Sequence, residues 1–174
     1  MTTSRKRLLR NRISLISKNS EPASPEGLYR YALRLLTGRD YTVARIRQKL
    51  AMREAAEQDL EAALERLQRE GWLDDIRYAE RFAESALSSG RFYGARLRLE
   101  MRRRGFNPDV IQDTLSPLLT ESDEISEVRS AAERRSPGFS YSAASDRDRR
   151  RMIGFLQRRG FGFSAIIRAL RAEE

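Results

Sequence analysis

The sequence predicts an all-α protein of three tandem three-helix repeats forming an elongated, curved array. The first observation is a recurring hook. Met101-Arg102-Arg103-Arg104-Gly105-Phe106 returns as Leu156-Gln157-Arg158-Arg159-Gly160-Phe161, and a worn version stands at Leu50-Ala51-Met52-Arg53-Glu54-Ala55. The second is apolar spacing at helical period along most of the chain. The third is register. An offset of 51 residues, then one of 55, carries Ile46 to Leu97 and Met152, and Leu50 to Met101 and Leu156. The same offsets carry Leu60 to Ile111 and Ile166, and Leu64 to Leu115 and Leu170. Amphipathic helices can always be slid until apolar positions agree, but shared arginines and a shared Gly-Phe do not follow from amphipathicity. A unit of roughly 50 residues is too small to bury its own faces well and leans on its neighbours.

The repeats are expected over 25–73, 74–119 and 120–174, after a basic, mobile arm at 1–24. The arm carries Arg5, Lys6, Arg7, Arg10, Arg12 and Lys18 against a single acid, Glu21. Ser24-Pro25-Glu26 reads as a helix start: a capping hydroxyl, a proline where no N–H is needed, and an acid at the positive helix end. The first helix runs to Leu36 with Leu28, Tyr31, Ala32, Leu35 and Leu36 on one stripe. A second begins near Thr42, and a third covers Glu57 to Glu70 with Leu60, Ala63, Leu64 and Leu67 inward. Gly71 is placed for a left-handed cap, closed by Trp72.

Asp74-Asp75 opens the second repeat, whose first helix turns Ala79, Phe82, Ala83, Ala86 and Leu87 inward. Ser88-Ser89-Gly90 breaks it, the next helix ends at Gly105, and Asn107-Pro108 starts a third, with Pro117 soon after. Leu118-Leu119 is the expected joint. In the last repeat Ile125, Val128 and Ala132 share a face. The turn-rich stretch from Ser136 to Ser145 reads as an insertion, and Ser145 with Asp148 resembles a capping box.

Composition narrows the chemistry. The chain has 174 residues and a formal net charge of +9, and only Lys6, Lys18 and Lys49 of its 34 basic residues are lysines. Arginine suits bidentate contacts with phosphate and carboxylate, so the partner expected is a polyanion or an acidic protein surface. Base composition of the genome is the competing source of the excess. There is no cysteine and no histidine, which removes disulfides, thiolate chemistry, common zinc ligands and the commonest general base. No catalytic residue, metal site or cofactor is predicted. No run approaches a membrane span, and no apolar signal segment opens the chain.

Arg45, Arg96 and Arg151 recur directly before the inward Ile46, Leu97 and Met152, about 100° around the helix from the core line. Arg103 and Arg158 fall near the same flank, and Arg98, Arg102, Arg147 and Arg150 widen the patch. These nine form the expected nucleic-acid or filament surface; the alternative is a solvated face. Arg53, Arg104 and Arg159 read instead as cations serving helix C-termini. Tyr29, Tyr31, Phe82, Phe106 and Phe161 are expected in the core, with Tyr93 and Tyr141 left to stack on a partner.

Gly71-Trp72-Leu73-Asp74-Asp75-Ile76-Arg77-Tyr78-Ala79 resembles a signature of the RecX regulators. Gly94, Arg96, Leu97, Met101, Arg104, Gly105 and Phe106 resemble that family's second-unit motif, and Arg151, Leu156, Arg159, Gly160 and Phe161 its third. The resemblance covers about residues 26 to 172. It implies a monomeric, cytoplasmic modulator that lies in the groove of the RecA–DNA filament and inhibits strand exchange, ATP hydrolysis and co-protease activity. It also implies weak, non-specific contact with single- and double-stranded DNA. Glu54-Ala55, the long loop and the basic arm depart from the family pattern. The rival readings are a helix-turn-helix protein acting directly on duplex DNA and, more remotely, an enzyme.

Overall fold

The computed structural model describes residues 24–121 and 123–171, and the basic segment before Ser24 lies outside them. Among the described residues every regular element is a helix: α1 (Pro25–Leu36), α2 (Val43–Ala51), α3 (Glu57–Arg69), α4 (Asp75–Ser88), α5 (Gly94–Arg104), α6 (Pro108–Glu121), α7 (Glu124–Arg135), α8 (Asp146–Arg159) and α9 (Phe163–Arg171). Local chemistry accounts for the starts. Ser24 Oγ accepts from the Gly27 amide at 3.2 Å, with Pro25 in the first turn. Thr42 Oγ1 accepts from the Arg45 amide at 3.3 Å. The expected Ser145–Asp148 pair caps α8, the Asp148 amide donating to Ser145 Oγ at 3.2 Å.

In each group of three, the first and third helices pack most broadly: α1 on α3, α4 on α6 and α7 on α9. Each group builds one apolar core. Leu28, Ile46, Leu50, Leu60, Leu64 and Leu67 fill the first; Ala79, Leu97, Met101, Phe106, Ile111 and Leu115 fill the second. Val128, Met152, Leu156, Phe161, Ile166 and Leu170 fill the third. All twelve positions aligned by offset in the second and third helices are buried, so the repeat is a repeat of core geometry. Each such large side chain contributes about 1.5–3 kcal/mol relative to exposure.

The chain divides into two compact units, one ending at Asp74 and one beginning at Asp75. The second unit holds both later cores, and Leu87 and Leu119 pack against each of them. Leu118 and Leu119 lie inside α6, which continues through Pro117 to Glu121. A proline there forfeits a helical hydrogen bond, but the flanking Leu115, Leu118 and Leu119 are anchored in apolar cores that hold the last turn in place.

The hooks are backbone devices. Gly105 and Gly160 end α5 and α8 at φ 86° and 104°, and Phe106 and Phe161 plug the cores. In the first unit Glu54 adopts the same left-handed conformation at φ 54°. It is the one non-glycine residue with positive φ among the described residues, and half-buried Ala55 takes the plug's place.

Three aromatic expectations change. Trp72 does not close the α3 cap: it is 49% exposed, and Leu73, at 3%, enters the core instead. Both of their amides donate to the Leu67 carbonyl, which fixes the turn so that the second residue points inward. Tyr93 is buried, its ring stacked on Phe161 with centroids 4.9 Å apart. Half-buried Tyr141 packs against the third core with the guanidinium groups of Arg149 and Arg171 over its ring.

Candidate nucleic-acid interface

The arginines that recur in the sequence do not share one environment. In the second repeat they converge on a carboxylate. Glu100 is nearly buried on α5 and pairs with Arg96 at 2.7 Å and with Arg103 and Arg104 at 3.1 Å each. Burial alone would raise the Glu100 carboxyl, but the Arg104 hydrogen bond and the charges of Arg96, Arg103 and Arg104 outweigh it. Its pKa therefore lies below the ordinary carboxylate value. Arg96 and Arg103, both expected on the partner-binding stripe, thus share one carboxylate with Arg104 inside their own helix.

The third repeat lacks that acid. The position equivalent to Glu100, 55 residues on, is Phe155. Of Arg151, Arg158 and Arg159, the counterparts of Arg96, Arg103 and Arg104, Arg159 covers the Phe155 ring, and Arg151 and Arg158 share a cleft lining with it. No carboxylate stands at the position of Glu100, and the acid beside Arg151 is the exposed Asp148 at 3.6 Å.

The insertion turns this difference into a cleft. Residues 136–145 fold against α8 and the end of α7 around a space of about 1170 Å³. Arg135, Arg147, Arg150, Arg151 and Arg158 line it, with Phe139, Met152 and Phe155 as apolar surface. Its single acid, Asp148, accepts from Ser145 Oγ at 2.6 Å and lies 3.6 Å from Arg151 Nη1. The loop is itself pinned: Arg149 Nε donates to the Tyr141 carbonyl and Nη2 to the Ser142 carbonyl, both at 2.8 Å. The Gly138 amide donates to Glu133. Guanidinium groups beside flat apolar side chains match a nucleic-acid strand, phosphates on the former and bases on the latter.

The nine expected residues therefore separate. Arg147, Arg150, Arg151 and Arg158 come together on the cleft, joined by Arg135, which sequence reasoning missed. Arg96 and Arg103 sit at Glu100, while Arg98 and Arg102 stand elsewhere on α5, away from the cleft lining. Arg45 is exposed on α2 in the first compact unit, bonded to Gln48 at 2.9 Å. The replacement of Glu100 by Phe155 was the signal that could have ranked them.

Arg53, Arg104 and Arg159 prove more than helix-end cations. Arg53 lies over Tyr31 at 4.4 Å, and Arg104 over the equivalent Phe82 at 4.2 Å. Arg104 also donates to the Glu100 carbonyl. Arg159 instead covers Phe155 at 4.7 Å. Asp75 sits in the first turn of α4, and no group of three or more potential metal ligands occurs among the described residues. No described helix is long and apolar enough to cross a membrane.

The fold defines a helical-repeat protein with a cationic surface. The model of the first three-helix domain of RecX matches residues 29–67. The regulatory protein RecX of Trichlorobacter lovleyi is 47% identical over 146 residues, covering 84% of this chain and 94% of its own. That of Syntrophotalea carbinolica is 33% identical over 143 residues, covering 82% and 93%. The crystal structure of RecX from Lactobacillus salivarius superposes with a TM-score of 0.67 at 18% identity, covering 85% and 95%, so the fold agrees as well. The chain belongs to the RecX family, a family of regulatory proteins and not of enzymes.

Proposed function

We propose that this protein binds the RecA–DNA filament and modulates it, mainly inhibiting strand exchange, ATP hydrolysis and co-protease activity. Membership of the RecX family carries the reading, and the arginine cleft of the third repeat supports it with chemistry suited to phosphate. On this reading the protein acts in the cytoplasm as a monomer, touching DNA weakly and without sequence preference. The cleft grips backbone phosphate while the remaining repeats bear on the recombinase. A protein that prefers one filament state over another shifts the population toward it and needs no catalytic group of its own.

The experiment is RecA ATPase and strand exchange with and without the purified protein. Stoichiometric protein should suppress both. Arg147→Ser, Arg150→Ser, Arg151→Ser and Arg158→Ser together should relieve the suppression while helicity stays normal. If four phosphate contacts are lost, the salt dependence of single-strand binding should flatten by about 3 in log–log slope. No effect of the wild-type protein on either assay would sink the reading. Binding to one duplex sequence that persists at high salt would instead favour a helix-turn-helix reader.

A further inference from the structure

Four guanidinium groups gather where the second repeat docks on the third, and no carboxylate pairs with any of them among the described residues. Arg159 Nη1 donates to the Gly90 carbonyl at 2.9 Å. Arg134 reaches the same glycine: a Cβ built on Gly90 would lie 2.4 Å from Arg134 Nη2, so the guanidinium fills the space a side chain would need. Arg91 follows Gly90 in the turn after α4. Arg135 and Arg159 both lie over Phe155, 5.6 and 4.7 Å from its centroid. The acid next in sequence, Glu133, is occupied by the Gly138 amide at 3.1 and 3.2 Å.

This crowding is costly as it stands. Arg159 is half-buried, and burial, followed by the like charges of Arg91, Arg134 and Arg135, pushes its pKa below the ordinary guanidinium value. An arginine so placed keeps its proton, so the strain is relieved by an anion. The Gly90 bond uses one of five N–H donors on Arg159, and Arg134 brings a second planar fork to the same glycine. Paired forks are the geometry that tetrahedral oxyanions accept.

We propose that Arg91, Arg134, Arg135 and Arg159 form a phosphate-binding site at the joint between the second and third repeats. The ligand is a phosphate group, carried by a nucleic-acid backbone or by a free polyphosphate. Bound there it ties α4's C-terminal turn to α7 and α8, so occupancy stiffens the joint. The site uses none of the nine arginines read from the sequence, although it adjoins the cleft and shares Arg135 and Phe155 with it, and it stands whether or not the protein acts on a recombinase filament.

The test uses the full chain and ¹H–¹⁵N spectra at constant ionic strength, with inorganic pyrophosphate in one arm and a short single-stranded oligothymidylate in the other. Saturable shifts of the Gly90 amide and the Arg159 Nε–H are expected. Both arms respond if any phosphate suffices, and the oligonucleotide arm alone if the backbone is the source. Arg91→Ser with Arg134→Ser, both at exposed positions, should weaken the response by about tenfold or more and leave helicity unchanged. Arg147→Ser with Arg150→Ser and Arg151→Ser should leave the pyrophosphate response in place. The proposal is overturned by the absence of saturable shifts in both arms. It is equally overturned by their survival in the Arg91/Arg134 variant or by loss of the pyrophosphate response in the cleft variant.

Discussion

The ring of Tyr93 stacks on that of Phe161, centroids 4.9 Å apart and planes 20° from parallel. The two come from different repeats. Around them the Tyr93 amide donates to the Arg159 carbonyl at 2.8 Å, so backbone and side chain both cross the joint. The plug of the third repeat is thus also the socket of the second.

Removing that socket should uncouple the two repeats. Tyr93→Ala and Phe161→Ala are each expected to lower stability, the latter by about 3–5 kcal/mol. The stack itself accounts for about 0.5–1.5 kcal/mol in a double-mutant cycle. Denaturant unfolding followed by circular dichroism checks this; additive single effects would show that the rings do not interact.

Glycine is required at 160 for two reasons and at 71 for one. A Cβ at Gly160 would meet the Tyr93 carbonyl at 2.2 Å and Arg96 Cβ at 2.6 Å, while one at Gly71 would meet nothing within 4 Å. Gly71→Ala should therefore cost only conformational strain, about 1–2 kcal/mol. Gly160→Ala should cost about 3 kcal/mol or more, because it also pushes the repeats apart. Equal losses in thermal unfolding would refute the close approach.

Glu54 carries the same positive φ without being glycine. Glu54→Gly should raise stability by about 0.5–1 kcal/mol, the relieved left-handed strain exceeding glycine's extra chain entropy. A fall in the urea midpoint would show that the exposed carboxylate contributes more than its backbone costs.

Glu100 links stability to pH. Its folded pKa lies below its unfolded value, so its contribution is fully present above the usual carboxylate range and is lost as pH falls through the folded value. Glu100→Gln should accordingly destabilise at pH 7, and the gap from wild type should narrow as pH falls below the usual carboxylate range. The same variant releases Arg96, Arg103 and Arg104 and should bind single-stranded DNA more tightly at pH 7, with a steeper salt dependence. Unchanged DNA binding would mean that those three arginines face no anionic partner even when unmasked.

The helices and their inward faces were legible in the sequence because burial on a helix repeats every 3.6 residues, and a side chain's face follows from its number. Leu28, Ile46, Leu50 and their counterparts are buried for that reason alone. The hooks were legible too, since only a positive φ explains glycine at both 105 and 160. Loop aromatics carry no such period. Trp72 was misassigned because turn geometry decides which of two neighbours faces in, and Tyr93 because the ring that covers it, Phe161, comes from the next repeat.

Sequence by itself therefore determined the three-fold helical repeat, its cationic character and the family. Tertiary structure alone decided which arginines are spoken for. Charge on a helix surface depends on what the next turn, the inserted loop and the neighbouring repeat bring within a few ångströms. Glu100 pairs with Arg96 and Arg103, whereas Phe155 and the 136–145 loop place Arg151 and Arg158 on an open cleft.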